Sequence, residues 1–288
     1  MVGQGGDDRI PVPVRALIVV VAAILAVAGL LLTVWPGKTE ALWAWPMEPE
    51  LTSLAVGGGY LAGAVLFVRA AFESRWHRVA LVFPVATVLT VGLLLATLLH
   101  WEAFSHGHVS FWTWLVVYLV TPVLLPAVWL ALRRRDPGVP PSGTPTVPWV
   151  VRWLLGAVGI VQLSVAVVFF VRPEVAIEVW PWTLSPLTAR TLASFLGFIG
   201  AMWLAFLFED RWSALELHVA GATLGLALVG VGAVRAADDL TAGPAGTTVF
   251  ALLLGGFLLV LLVLQIAMRR RVGVVSEAVS VRDHDERG

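Results

Sequence analysis

Three short blocks of this chain occur twice at one spacing. Leu51-Thr52, Phe72-Glu73-Ser74-Arg75-Trp76 and Arg133-Arg134-Arg135 return as Leu187-Thr188, Phe208-Glu209-Asp210-Arg211-Trp212 and Arg269-Arg270-Arg271, each 136 residues further on. Trp43-x-Trp45 returns as Trp180-x-Trp182 at a spacing of 137, which places a one-residue insertion near Glu50. The apolar runs between these marks reach the roughly 20 residues a helix needs to cross a bilayer. Eight of them do so, near 16–35, 52–72, 79–100, 111–132, 151–171, 188–208, 213–234 and 247–268. The expected fold is an all-α polytopic membrane protein whose eight transmembrane helices form two four-helix repeats. The first run is not read as a cleaved signal, because it is too long and its counterpart is internal.

Composition supports this class. Hydrophobic residues make up 59% of the chain and charged residues 13%, against about 25% charged in a soluble domain. The net charge is zero, so no global field draws in nucleic acid. The absence of cysteine excludes disulfides, thiolate metal sites, iron–sulfur clusters and thiol redox relays. Arginines crowd one side of the layer (Arg9, Arg15, Arg69, Arg75, Arg78, Arg133 to Arg135, Arg152, Arg211, Arg269 to Arg271, Arg282 and Arg287). Lys38, Arg172, Arg190 and Arg235 fall on the other. The positive-inside rule then predicts both termini in the cytoplasm and a location in the cytoplasmic membrane. With four spans each, the repeats are parallel, related by an axis along the membrane normal. The segments run as an N-terminal tail (1–15), a first repeat (16–133), a Pro-rich cytoplasmic linker (134–149), a second repeat (150–271) and a disordered polar tail (272–288). Expected partners are the lipid bilayer and other membrane proteins.

Residues shared by both repeats are read as structural. In Phe-Glu-x-Arg-Trp, the arginines Arg75 and Arg211 carry the topology signal, and Trp76 and Trp212 are expected to anchor at the lipid interface. Glu73 and Glu209 end helices whose dipoles disfavour them. Arg69, four residues before Glu73, is its expected partner; Glu209 has Ala205 at that place and needs another. The Trp-x-Trp loops, stiffened by prolines, are read as interfacial re-entry loops, with an aromatic lid over an outward cavity as the alternative. Thr52 and Thr188 are candidate N-caps. Gly57-Gly58-Gly59 and Gly197-x-x-Gly200 are expected to admit close helix approach.

The run Trp180-Pro181-Trp182-Thr183-Leu184-Ser185-Pro186-Leu187-Thr188-Ala189-Arg190 resembles a Trp-Pro-Trp-x-Leu-x-Pro-Leu-Thr-Ala-Arg signature of uncharacterised multi-pass membrane proteins of actinobacteria and similar bacteria. The first repeat lacks the Ala-Arg end. The resemblance implies a membrane location and adds no mechanism.

Residues found in one repeat only are the candidates for function. Arg190 lies one turn inside the sixth span, where the first repeat has Leu54. It is read either as snorkelling or pairing with Glu174, Glu178 or Asp238, or as holding an anion or lipid headgroup. A ligand site would be lined by Arg190, His100, Glu102, Trp180 and Trp182. The outer loop His100 to His108 offers His100, Glu102, His106 and His108 for a divalent metal such as Zn, Cu or Ni; a solvated polar loop is the alternative. Arg235 is expected to pair with Asp238 and Asp239, and Glu216 and His218 to be interfacial. Mid-membrane positions carry no charge, which argues against proton relays and ion pumps. No catalytic motif is present, so no catalytic residue is assigned. Three functions remain, in this order: a structural or partner-binding membrane protein, a small-molecule or lipid binder or transporter with an outward cavity, and a membrane enzyme acting on a lipid-linked substrate.

Overall fold

A computed structural model describes residues 8–141 and 143–285. Residues 1–7 of the N-terminal tail, Ser142 of the linker and 286–288, with Arg287, lie outside the described residues. Eight helices long and apolar enough to span a membrane are present among them. We label them α1 (Val12–Val34), α2 (Glu50–Phe72), α3 (Val82–Leu99), α4 (Val109–Leu132), α5 (Trp149–Val171), α6 (Pro186–Ala205), α7 (Trp212–Arg235) and α8 (Gly243–Asp285). The helix ends follow the punctuation of the sequence. Pro13, Pro84 and Pro186 sit in first turns, where the missing N–H costs nothing. Ser185 caps α6, its hydroxyl accepting from the Thr188 N–H at 3.2 Å. α8 continues to Asp285, past the expected end of order near Val272. Gly273 alone, worth about 1 kcal/mol against a helix, does not stop it.

The protein has internal symmetry, and the pairing of its helices follows it. α1 packs on α2 as α5 packs on α6; α3 packs on α4 as α7 packs on α8. The remaining large contacts cross between the halves: α2 packs on α7, and α6 on α3. Two four-helix layers result, α1-α2-α7-α8 and α5-α6-α3-α4, each taking two helices from each half. The third and fourth helices of each half have changed sides.

Small residues make these crossings. In a helix, successive side chains point about 100° apart, so Gly57, Gly58 and Gly59 face three neighbours. A Cβ at Gly57 would lie 2.8 Å from Leu32 Cβ of α1, one at Gly58 3.1 Å from Leu228 Cβ of α7, and one at Gly59 2.8 Å from Phe195 Cε1 of α6. Phe195 is the counterpart of Gly59, 136 residues on; residues meet their own counterparts only on a two-fold axis. The Gly58–Leu228 contact recurs as Ser194 on Gly92, with large and small exchanged between the helices. Hydrocarbon gives helices no hydrophobic reason to associate, so such close packing supplies the contact energy.

The short segments on both faces repeat as well. On the Arg-rich face, Ile10 and Trp76 bond to Ser74 and Asp8, as Val147 and Trp212 bond to Asp210 and Pro145. On the opposite face, the Ser105 N–H donates to the Ala44 carbonyl as Thr241 donates to Pro181. Arg15 donates to the carbonyls of Ala71 and Glu73. Its counterpart Arg152 donates to those of Phe206 (3.0 Å) and Leu207 (2.9 Å). Each arginine thereby satisfies orphan carbonyls at the end of the neighbouring helix and complements its dipole.

The motif tryptophans are core residues. Trp76, Trp212, Trp45 and Trp182 are fully buried, against the expected interfacial anchoring of Trp76 and Trp212. Trp43, Trp45, Phe104 and Trp114 form one aromatic cluster, with the Trp45 and Trp114 rings 4.8 Å apart. Trp182 crosses to the other half, its indole N–H donating to Thr52 Oγ1 at 2.9 Å. Thr52 is therefore an acceptor for an indole and not an N-cap. α2 is capped instead by Asp239, whose carboxylate accepts from the Leu51 N–H at 2.8 Å.

Candidate functional site

On the Trp-loop face, the first turns of α6 bring Arg190 to the ends of two other helices. Its Nε donates to the Phe170 carbonyl near the C-terminus of α5 at 3.0 Å, and its Nη1 to His100 Nε2 at the end of α3 at 2.7 Å. A guanidinium cannot accept, so His100 is neutral there and carries its proton on Nδ1. The pKa of His100 is lowered, first by burial and then by the Arg190 charge. Arg190 forms no ion pair with an acid among the described residues. Glu174 is near enough to feel its charge, but is exposed and bonded to Arg172. Its carboxyl lies below the usual range, through the Arg172 hydrogen bond first.

The structure brings Arg190 and His100 together and leaves Glu102 exposed in the loop beyond. Trp180 packs on Phe169, one residue from the carbonyl that holds Arg190, and on Trp182. Its indole N–H is buried without a partner among the described residues. The three histidines considered for a metal point to separate places. His100 faces Arg190, His106 stacks against Phe111 and Trp101, and His108 Nδ1 lies 3.2 Å from the Trp43 carbonyl. No group of three or more His, Asp or Glu placed to hold a metal occurs among the described residues.

The symmetry gives Arg190 a comparator. Arg235, at the end of α7, donates to the carbonyl of Thr33, and Thr33 is the counterpart of Phe170. Each of the equivalent helix ends thus receives one arginine, from a different helix. Arg235 makes this contact in place of the expected pair with Asp238 and Asp239; Asp239 is spent on the α2 cap.

The Arg-rich face holds a second polar cluster. Arg211 lies between Asp136 of the linker (Nη2–Oδ2, 2.8 Å) and Glu209 (Nε–Oε1, 2.8 Å). These bonds raise its pKa and hold Asp136 low: burial alone would raise the Asp136 value, but hydrogen bonds from Arg211 and the Gly138 N–H prevail. The counterpart Arg75 is 62% exposed, 3.9 Å from Asp8. Glu73 pairs with Arg78 at 3.3 Å and not with Arg69, because Glu73 already has extended backbone beyond the end of α2. A pair unnoticed in the sequence lies beside it. Buried His77 has Nδ1 2.7 Å from Asp8 Oδ2, while its Nε2 has no partner among the described residues. The second half has Pro145 and Ser213 at these positions, so the repeat alignment carried the signal. His218, expected at the interface, is buried in α7, where its ring lies near the carbonyls of Leu81 and Ala214.

Fold and spans together define an all-helical, multi-pass membrane protein with internal symmetry. No family model matches the chain, and no curated protein or solved structure is found to be similar to it.

Proposed function

We propose that the chain is a membrane-embedded scaffold that binds partners within the bilayer and performs no small-molecule chemistry of its own. The observation that carries this is that most serine and threonine hydroxyls inside the layer are bonded within their own helix, while those of Ser53 and of the Tyr60–Tyr118 pair are bonded within the protein between helices. The hydroxyls of Thr33, Thr87, Thr97, Thr121, Ser164 and Thr223 each donate to a carbonyl one turn back on their own helix. Groups bonded in this way are not arranged as a relay, and the ionised residues lie at the two faces. α4 and α8 flank the layers with exposed apolar side chains such as Val120, Val123, Leu259 and Val263, surfaces for lipid or a partner helix. In this reading the halves are parallel four-helix repeats related by a near two-fold axis along the membrane normal. Both termini and the linker are cytoplasmic in this reading, which the arginine distribution supports.

Two measurements test the proposal. Proteoliposomes should show proton and chloride fluxes equal to those of protein-free vesicles, and photo-crosslinkers at Val120 or Val263 should give discrete protein adducts in native membranes. Flux above background, or adducts with lipid alone, would remove it. Reporter fusions in the linker and at the C-terminus should both read cytoplasmic. Binding of a lipid at the Trp-loop face is a second reading, favoured by Arg190.

A further inference from the structure

We infer that Arg190, positioned by His100, forms a binding site for a phosphate-type oxyanion at the Trp-loop face of the membrane, beyond the scaffold reading. The argument begins with the count of donors. Arg190 has five N–H groups, and the protein uses Nε on Phe170 and one hydrogen of Nη1 on His100. His100 spends its only acceptor on Arg190 and so holds the guanidinium in place, while its Nδ1–H points away from that contact. The pair therefore offers hydrogens and no lone pair, a combination that accepts anions and rejects cations and neutral donors.

Charge and position restrict the ligand further. Arg190 is part-buried and has no ion-pair partner among the described residues, while the nearby Glu174 is taken by Arg172. A guanidinium held away from bulk water gains more from a counter-charge than one in solution, and the Nη2 group with the remaining Nη1 hydrogen can donate to phosphate oxygens. The site lies where α3 and α5 end and α6 begins, at the depth of lipid headgroups. The equivalent junction differs: Arg235 is exposed there, and Ala236 stands where the first half has His100. The oxyanion is a lipid headgroup phosphate or free phosphate.

Thermal unfolding of the full-length protein in uncharged detergent distinguishes the sources. It is measured against short-chain phosphatidylglycerol, inorganic phosphate and, as control, short-chain diacylglycerol. The wild type should be stabilised saturably by phosphatidylglycerol and not by diacylglycerol. Arg190→Ala should weaken that response about tenfold or more, as loss of a charged hydrogen-bond partner does, while Arg235→Ala leaves it unchanged. An equal Arg190-dependent response to inorganic phosphate assigns the site to the free anion; a response to lipid alone assigns it to a headgroup. No saturable response to either, or one that Arg190→Ala leaves intact, overturns the inference. Should Arg190→Ala fail to fold, Arg190→Lys is read in its place. It keeps the charge and loses the fork, so several-fold weaker binding supports the site and unchanged binding refutes it.

Discussion

The two copies of the Phe-Glu-x-Arg-Trp motif contain the same arginine in opposite electrostatic settings, and removing each in turn should expose the difference. In the second copy, the Arg211 side chain is 7% exposed between two carboxylates. Truncating it to alanine leaves Asp136 and Glu209 facing each other without a cation. Breaking a buried ion pair from one side costs about 3–5 kcal/mol; the low end, about 3 kcal/mol, applies because both carboxylates lie at the membrane face and can hydrate. In the first copy, Arg75 is 62% exposed and 3.9 Å from an Asp8 that keeps His77. Such a surface pair contributes roughly 0–1 kcal/mol. At about 2–4 °C per kcal/mol, Arg211→Ala should lower the thermal midpoint by roughly 6–12 °C, and Arg75→Ala by no more than about 4 °C. Tryptophan fluorescence of the detergent-solubilised protein at pH 7 reads both. Equal losses, or a larger loss for Arg75→Ala, would refute the reasoning.

Trp182→Phe removes the N–H donated to Thr52 and also the second ring of a buried indole, so stability should fall by more than the roughly 1 kcal/mol of the hydrogen bond; in a Thr52→Val background the same change should cost about 1 kcal/mol less, measured as a double-mutant cycle. Arg15→Gln and Arg152→Gln remove equivalent carbonyl caps; Arg152→Gln also loses a half-exposed Asp210 at 3.5 Å, a pair contributing roughly 0–1 kcal/mol, so its thermal midpoint should fall by the same amount or slightly more, and a larger fall for Arg15→Gln would contradict this. Because the His100 pKa is lowered in the folded protein, its contribution is complete above the ordinary histidine range near ~6.5. It is lost as pH falls through the lowered value, when protonation removes the acceptor and sets a like charge beside Arg190. A pH series on the wild type and His100→Gln should therefore show their stability difference changing only below about pH 6.5, and a pH-independent difference would contradict this assignment.

The number and position of the helices were legible because length and hydropathy alone set a membrane span. The pairing of the helices was not, because a residue facing lipid and one facing another helix can both be apolar, and only Gly57-Gly58-Gly59 announced a crowded helix. Local charge pairing misled where the backbone left the helix: the i, i+4 rule sent Glu73 to Arg69 and Arg235 to Asp239, but helix ends offer orphan amides and carbonyls that compete for the same side chains. The proximity of Arg190 to the His100–His108 loop followed from its place near the start of a span. Its bond to His100 depends on α3 lying against α6, a contact between halves that no local pattern records. Arg15 and Arg152 stood at the repeat spacing, yet read only as topology signals.

The exchange of third and fourth helices between layers has a consequence for synthesis. With only the first four spans in the membrane, α1 could pack on α2 within that half, but the face of α2 that meets α7 in the finished protein would border lipid, and α3 would have no α6 to lie on. Assembly of both layers then awaits the second half, and a chain halted at the linker should be far more open to proteolysis than the finished protein. Two halves produced as separate chains should recombine, since each supplies the surface the other lacks; failure of co-expressed halves to protect one another would show that the linker itself guides the exchange.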